Sequence, residues 1–136
     1  MKLFLDTADV DSISDSFLTG LIDGVTTNPT LMMKSGKNPE DVYQDLINLG
    51  VPDISMEVVG DSYEMIQEGL RLFEKFGQQA TIKVPCTPDG LIACRELSRN
   101  LIKVNVTLIF SPSQAILSAK AGATYVSPFV GRVDDN

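Results

Sequence analysis

The chain has 136 residues, 43% apolar and 21% charged, with 11 Lys and Arg against 18 Asp and Glu for a net charge of -7. This is enough apolar chain for one folded domain, and an acid surplus is the opposite of the basic face that nucleic-acid binders present, so no nucleic-acid partner is expected. With no histidine and only two isolated cysteines, Cys86 and Cys94, a histidine-based triad, a histidine-rich metal site and a disulfide framework are all excluded, and catalysis falls to carboxylates, lysine, hydroxyls or amides.

In chain order, short β-rich runs alternate with helical segments. The runs are Lys2 to Asp6, Gly24 to Asn28, Ile54 to Val59, Ala80 to Pro85, Lys103 to Ile109 and Tyr125 to Gly131, and their starts are separated by 22, 30, 26, 23 and 22 residues. Such regular spacing predicts successive βα units on a parallel sheet. A first helix with weak signals runs around Asp9 to Leu18. Asn38-Pro39-Glu40-Asp41 supplies a cap, a first-turn proline and two acids to a helix that ends before Gly50. Asp61 to Gly77 repeats the pattern without the proline, Thr87-Pro88-Asp89 and Ser111-Pro112 open two more helices, and Gly122 ends the last. No linker or low-complexity tract divides the chain, so residues 1 to 136 are expected to form a single domain. No apolar run reaches the roughly 18 residues of a membrane span, and the amino terminus turns acidic too early for a signal peptide. A cytoplasmic protein without a membrane partner is the expectation.

Strand alternation sorts the side chains onto two faces. One face is aliphatic: Leu3, Leu5, Val25, Met56, Val58, Ile82, Val84, Val104, Val106, Leu108, Val126 and Val130. The other ends in polar groups near the carboxyl end of each strand: Asp6, Asn28, Glu57, Lys83, Asn105 with Thr107, and Ser127. An open doubly wound sheet would be aliphatic on both faces, so this pattern predicts a (β/α)8 barrel interior with a site at its C-terminal mouth. Six strands consume the whole chain where eight are needed, since such barrels take about 200 residues or more. The chain is therefore expected to be the N-terminal portion of a longer barrel, or to be completed by another chain.

Lys83, within Thr81-Ile82-Lys83-Val84-Pro85, is the most diagnostic residue. An ordinary lysine is neutral in only roughly 1 molecule in 2,500 at pH 7, and an apolar setting favours the nucleophilic amine. The alternative is a lysine that merely pairs with Glu57 or Asp6, and spacing alone does not separate the two. Asp6 and Glu57, facing Lys83 across the mouth, are suited to moving protons between a substrate hydroxyl and water. Equally, Asp6 is placed to cap the Asp6-Thr7-Ala8-Asp9 turn, and Glu57 to be a solvated strand end. Thr26, Thr27, Asn28, Asn105, Thr107 and Ser127 are ordinary strand and turn residues taken one at a time; only their convergence is unusual. Arg132 suits bidentate capture of a phosphate, although a solvated surface arginine is the commoner case.

Five strings in this order closely resemble the transaldolase family, in particular its small-subunit branch related to fructose-6-phosphate aldolase: LFLDTADVDSI at 3 to 13, GVTTNPTLM at 24 to 32, IKVPCTPDGLIA at 82 to 93, VNVTLIFSPSQA at 104 to 115 and YVSPFVGRVDD at 125 to 135. The resemblance implies class I aldol transfer on a (β/α)8 barrel, needing neither metal nor cofactor, with sugar phosphates as substrates and a pentameric or decameric homo-oligomer as the assembly. It implies Lys83 as the Schiff-base lysine, Asp6 as the acid/base for the C4 hydroxyl, and Glu57 with Thr107 as the pair that positions water. It further implies Asn28, Asn105 and Ser127 around the three-carbon fragment and Arg132 on phosphate, and Thr26 and Phe129 are expected with them among the substrate-binding residues. The aldolase relatives carry Gln at the position of Glu57 and Tyr at that of Phe129, so both residues here resemble the transaldolase type. Release of free dihydroxyacetone by an aldolase, and an inactive truncated fragment with a structural role, are the two competing expectations.

Overall fold

Helix caps and strand alternation together decide how the chain is laid out in the computed structural model, which describes residues 1–130. In chain order the elements are β1 (Phe4–Asp6), α1 (Val10–Phe17), β2 (Gly24–Thr26), α2 (Pro29–Ser35), α3 (Pro39–Leu49), β3 (Ile54–Glu57), α4 (Ser62–Phe76), β4 (Ala80–Pro85), α5 (Pro88–Arg99), β5 (Lys103–Ile109), α6 (Pro112–Ala121) and β6 (Tyr125–Pro128). All strand pairs are parallel and the order is β1-β2-β3-β4-β5-β6, six units of a (β/α)8 barrel. The arc is curled: the Phe4 ring on β1 meets the Tyr125 ring on β6 edge-on at 5.4 Å, so the two edge strands touch across the interior.

The cap signals act as read. Asn38, Asp61, Thr87 and Ser111 each accept a hydrogen bond from a backbone N–H in the first turn of the helix that follows, and prolines at the start of α3, α5 and α6 cost nothing where no N–H is needed. Asp61 and Glu64 complete a reciprocal capping box on α4. The structure adds α2, whose cap Asn28 falls inside the strand expected over Gly24 to Asn28. β2 stops at Thr26 because Asn28 caps α2 by accepting from Leu31 N, with Pro29 at its first position, the same Asn-Pro signature that opens α3. The first cap falls on Asp9, which accepts from Asp11 N, so Asp6 is left free of capping. β3 ends at Glu57 and β6 at Pro128, short of Val59 and Gly131; Gly131 lies outside the described residues.

The outward strand face is the apolar core. Val25, Ile54, Met56, Ala80, Ile82, Val84, Val104 and Val106 are fully enclosed beneath Val42 and Leu46 of α3, Met65 of α4 and Ala93, Cys94 and Leu97 of α5. Truncating one of the larger of these to alanine costs about 2–5 kcal/mol by loss of transfer energy and cavity formation. Burial also pushes the Cys94 thiol up to about 11. Gly24 occupies an inward position where a Cβ would lie 2.2 Å from a Phe4 ring carbon, so the missing side chain makes room for the ring that bridges to Tyr125. Leu108 departs from the alternation. A register shift between Thr107 and Ile109 and a φ of 60° at Leu108 turn this residue from the outer face towards the mouth.

Candidate active site

Inward-facing side chains are stacked in levels along the barrel. At the amino-terminal end, buried Asp53 accepts from Thr81 Oγ1 (2.6 Å) and Tyr125 OH (2.8 Å) and pairs with Lys103 Nζ (3.0 Å). Lys2 Nζ donates in turn to Tyr125 OH at 3.1 Å. The middle level runs from Ser127 Oγ, which donates to Asn105 Oδ1 (2.8 Å), through Asn105 Nδ2, which donates to Ser55 Oγ (3.2 Å). Asn105 thereby reaches over β4 to β3, which only an inward-pointing side chain on a curved sheet can do.

Above this floor, at the carboxyl ends of the strands, lies Lys83. Its side chain is nearly enclosed, its Nζ donates to the Thr27 carbonyl at 3.0 Å, and Glu57 Oε2 is 3.4 Å away. Backbone pairing sets this contact, because Glu57 and Lys83 are register partners on adjacent parallel strands and point to the same side. One hydrogen of the amine is thus engaged by the carbonyl, with the carboxylate at ion-pair distance beside it. A cleft of about 410 Å³ opens onto it, lined by Asn28, Pro29, Thr30, Leu31, Glu57, Lys83, Thr107, Leu108 and Phe129. One wall is polar and carries the amine, the carboxylate and the Thr107 hydroxyl. The other wall is apolar, with Leu31, Leu108 and Phe129, whose ring stacks on Phe110 at 5.8 Å.

Of the residues singled out from sequence, Asn28, Glu57, Lys83, Thr107 and Phe129 line this cleft. Asn105 and Ser127 form the level beneath it. Asp6 and Thr26 pair with each other, Thr26 Oγ1 donating to Asp6 Oδ1 at 3.0 Å, and they stand to the side of the cleft on β1 and β2. Arg132 lies outside the described residues. The pairing alternative for Lys83 is met by Glu57 and not by Asp6. Several residues that the strings alone did not mark also belong to the site. Ser55 joins the floor, Leu108 enters through its bulge, and Tyr43 lies behind Glu57, while Thr27, already singled out, contributes its backbone carbonyl. Burial, above all, raises the Tyr43 phenol above its ordinary value, partly offset by the neighbouring Thr27 side chain and Glu57 backbone. Among the described residues no group of three or more Asp, Glu and Cys is placed to hold a metal ion, and no helix is long and apolar enough to cross a membrane.

Fold and site together define a parallel β/α-barrel protein with a lysine–carboxylate pair at the carboxyl-terminal mouth. The family model described as Transaldolase/Fructose-6-phosphate aldolase matches residues 3–136, and the chain belongs to this family. It is 52% identical over 136 residues to a probable transaldolase of Nitrosopumilus maritimus, covering 99% of this chain and 61% of that protein. A probable transaldolase of Anaeromyxobacter sp. strain K is 56% identical, with 99% and 62% covered, and one from Thermoplasma acidophilum is 49% identical over 138 residues, with 99% and 62% covered. The chain therefore spans about three fifths of the length of these curated relatives. Among solved structures, the carboxyl transferase domain of Rhizobium etli pyruvate carboxylase with pyruvate is similar at a TM-score of 0.57 and 12% identity, covering 98% of this chain and 30% of that one. That likeness concerns the fold alone.

Proposed function

We propose that the protein is a transaldolase, which moves a dihydroxyacetone unit between sugar phosphates through a Schiff base on Lys83. The observation that carries this reading is the near-enclosed Lys83 amine, 3.4 Å from the Glu57 carboxylate, at the base of an open cleft. In the proposed cycle the amine adds to the C2 ketone of a ketose phosphate and water leaves, giving a protonated imine. Asp6 takes the proton of the C4 hydroxyl, the C3–C4 bond breaks, and an aldose phosphate departs. The bonding pair is held by the imine as an enamine, which stabilises the developing carbanion. The enamine then attacks the aldehyde carbon of a second aldose phosphate, the new alkoxide takes a proton from Asp6, and water hydrolyses the imine to free the amine. Glu57 and Thr107 are the groups at hand to orient that water and move its protons. Asn28, Asn105, Ser127 and Thr26 take the hydroxyls of the three-carbon unit, and Arg132 takes phosphate. A cytoplasmic homo-oligomer acting in carbohydrate metabolism belongs to the same reading.

A fructose-6-phosphate aldolase, which would release dihydroxyacetone to water, is the second reading within this family. Transfer is favoured by Phe129, which brings an apolar ring and no hydroxyl to the cleft wall, leaving no phenol there to protonate the enamine. Intact mass after incubation with fructose 6-phosphate and borohydride tests the chemistry. One reduced three-carbon adduct is expected on Lys83, absent from Lys83→Met, and an adduct that persisted in that variant would move the nucleophile elsewhere. Free dihydroxyacetone appearing as fast without an aldose phosphate acceptor as with one would show the aldolase instead.

A further inference from the structure

Among the described residues, two that are not glycine have a left-handed backbone, Leu101 and Leu108, each with a φ of 60°. A Cβ makes that conformation unfavourable, so each position needs a reason. For Leu101 the reason is local. It follows the last turn of α5, where its own N–H donates to Ser98 O (3.0 Å) and the N–H of Ile102 donates to Leu97 O (3.2 Å), which closes the helix end. Leu108 has no helix to close, for it lies within β5. Carbonyls along a parallel strand turn alternately to its two neighbours. That of Val104 accepts from Thr124 N on the β6 side and that of Thr107 from Cys86 N on the β4 side, so Leu108 is next in turn for β6. The bond goes to Ile109 instead, whose carbonyl accepts from Phe129 N at 3.1 Å. Leu108 is thus the extra residue of a bulge. Through it Thr107 and Leu108 both line the cleft, Ile109 returns to the buried core, and Phe129 is tied to the end of β5.

We propose that Leu108 is a specificity-determining residue that keeps water from the enamine on Lys83, so that the enamine carbon bonds to an aldehyde and not to a proton. The proposal rests on Lys83 forming the imine and adds the residue that decides what the enamine does next. In transfer, the enamine electron pair forms a C–C bond to the aldehyde carbon of an acceptor. In the competing route the same pair takes a proton from water, the hydroxide left behind adds at C2, and the C–N bond breaks. Dihydroxyacetone and the free amine are released, with one water consumed. Only this second route needs water at the enamine carbon. Groups able to hold a water lie on the polar wall, at Glu57 and Thr107, and the facing wall is Leu31, Leu108 and Phe129. Leu31 comes from α2 and Phe129 follows β6, whereas Leu108 is the chain neighbour of Thr107 and stands where the two walls meet. An aliphatic side chain there offers water no hydrogen-bond partner.

The experiment follows the enamine carbon directly, as deuterium taken from D2O into dihydroxyacetone with no aldehyde present, per molecule of borohydride-trapped adduct at Lys83. Lys83→Met gives the background of uncatalysed exchange. The wild type is compared with Leu108→Gly, which suits the left-handed backbone and removes the side chain, and with Leu108→Asn, which tolerates that backbone and brings a polar group of similar size. Exchange is expected to be about tenfold faster in both, equivalent to about 1.4 kcal/mol in the barrier, with the adduct at Lys83 still formed. Leu101→Gly relieves the same backbone strain at the other end of β5 and is expected to exchange at the wild-type rate. Exchange within about twofold of the wild type in Leu108→Gly and Leu108→Asn would overturn the proposal while leaving Lys83 as the nucleophile. An equal acceleration in Leu101→Gly would also overturn it, because the effect would then come from a loosened chain and not from the cleft wall. A wild type that gives no adduct at Lys83 would overturn both readings.

Discussion

Asp53 and Glu57 lie four residues apart at opposite ends of β3, and their surroundings give them different work. Asp53 is almost fully enclosed and saturated: the Thr81 hydroxyl, the Tyr125 phenol and the Lys103 ammonium all converge on its two oxygens. Glu57 keeps about a fifth of its side chain exposed and has one cation beside it, so part of its capacity stays open to a ligand. A saturated buried carboxylate joins strands, whereas a partly open one can exchange protons. Burial, ahead of the Asp53 interaction and against the influence of Lys2, holds the Tyr125 phenol above its usual value, so it remains a donor to Asp53 throughout the neutral range. Replacing Asp53 by Ala strands two hydroxyl partners and one cation. The expected cost is about 3 kcal/mol, in the range for breaking a buried pair, with a smaller cost for Asp53→Asn, which still accepts from Thr81 or Tyr125. Urea unfolding of the two variants checks this, and a loss below about 1 kcal/mol for Asp53→Ala would mean that water replaces the carboxylate without strain.

At the level of elements, packing between helices adds a charge contribution that depends on pH. Glu40 in the first turn of α3 meets both Arg71 and Lys75 of α4, and Arg71 also takes Glu68 at 2.7 Å. Hydrogen bonds from Arg71 first, then Lys75, hold the Glu40 carboxyl below its ordinary value, while Glu68 and Glu40 push the Arg71 guanidinium further up. For a carboxylate lowered in the folded state, the stabilisation is complete above the unfolded-state value of about 4.3 and disappears as pH falls through the lower folded-state value. The stability difference between wild type and Glu40→Gln is thus expected to be constant from neutral pH down to about pH 5 and to shrink towards zero below about pH 4. Thermal melts across that range measure it; a difference that stayed constant into acid would assign the contact to packing of the side-chain stems. Elements are also where the sequence was most legible. All six strands were readable because the alternation of Val25, Ile82, Val104 and Val106 with Lys83, Asn105 and Thr107 needs only local pattern. Asn28-Pro29 was a helix start of the same kind as Asn38-Pro39, but the preceding β-branched pair Thr26-Thr27 extended the strand reading over it. Leu108 was out of reach, since a bulge inverts alternation at one position without a turn residue to mark it. Asp53 was out of reach for another reason: it follows Val51-Pro52 like any turn acid, and only tertiary contacts give its oxygens partners.

At the scale of the whole molecule, the described arc is asymmetric in how its outer face is covered. On β4 and β5 the outward residues Val84, Val104 and Val106 are fully enclosed, whereas Val126, the register partner of Val106 on β6, is 37% exposed and Val130 beyond it is 70% exposed. Ile116 and Leu117 of α6 and Phe110 at the end of β5 extend the exposed apolar surface, and among the described residues β6 pairs with β5 alone. A strand edge beside an apolar face is a template for pairing with another chain. The curated relatives reach well beyond the matched residues, and further βα units would fall against this edge in a closed barrel. A polypeptide of these 136 residues is therefore expected to bind a hydrophobic dye and to self-associate as its concentration rises. Val126→Lys should lower both signals with little loss of stability, because the lysine stem can lie along the strand while its ammonium reaches water and repels a second edge. Val106→Lys, one strand inward and fully enclosed, should unfold the protein, because no path to water exists there. Sedimentation velocity over a concentration series, with dye fluorescence on the same samples, distinguishes the two positions. A wild-type chain that stayed monomeric and dark to the dye would overturn the reading of β6 as an open pairing edge.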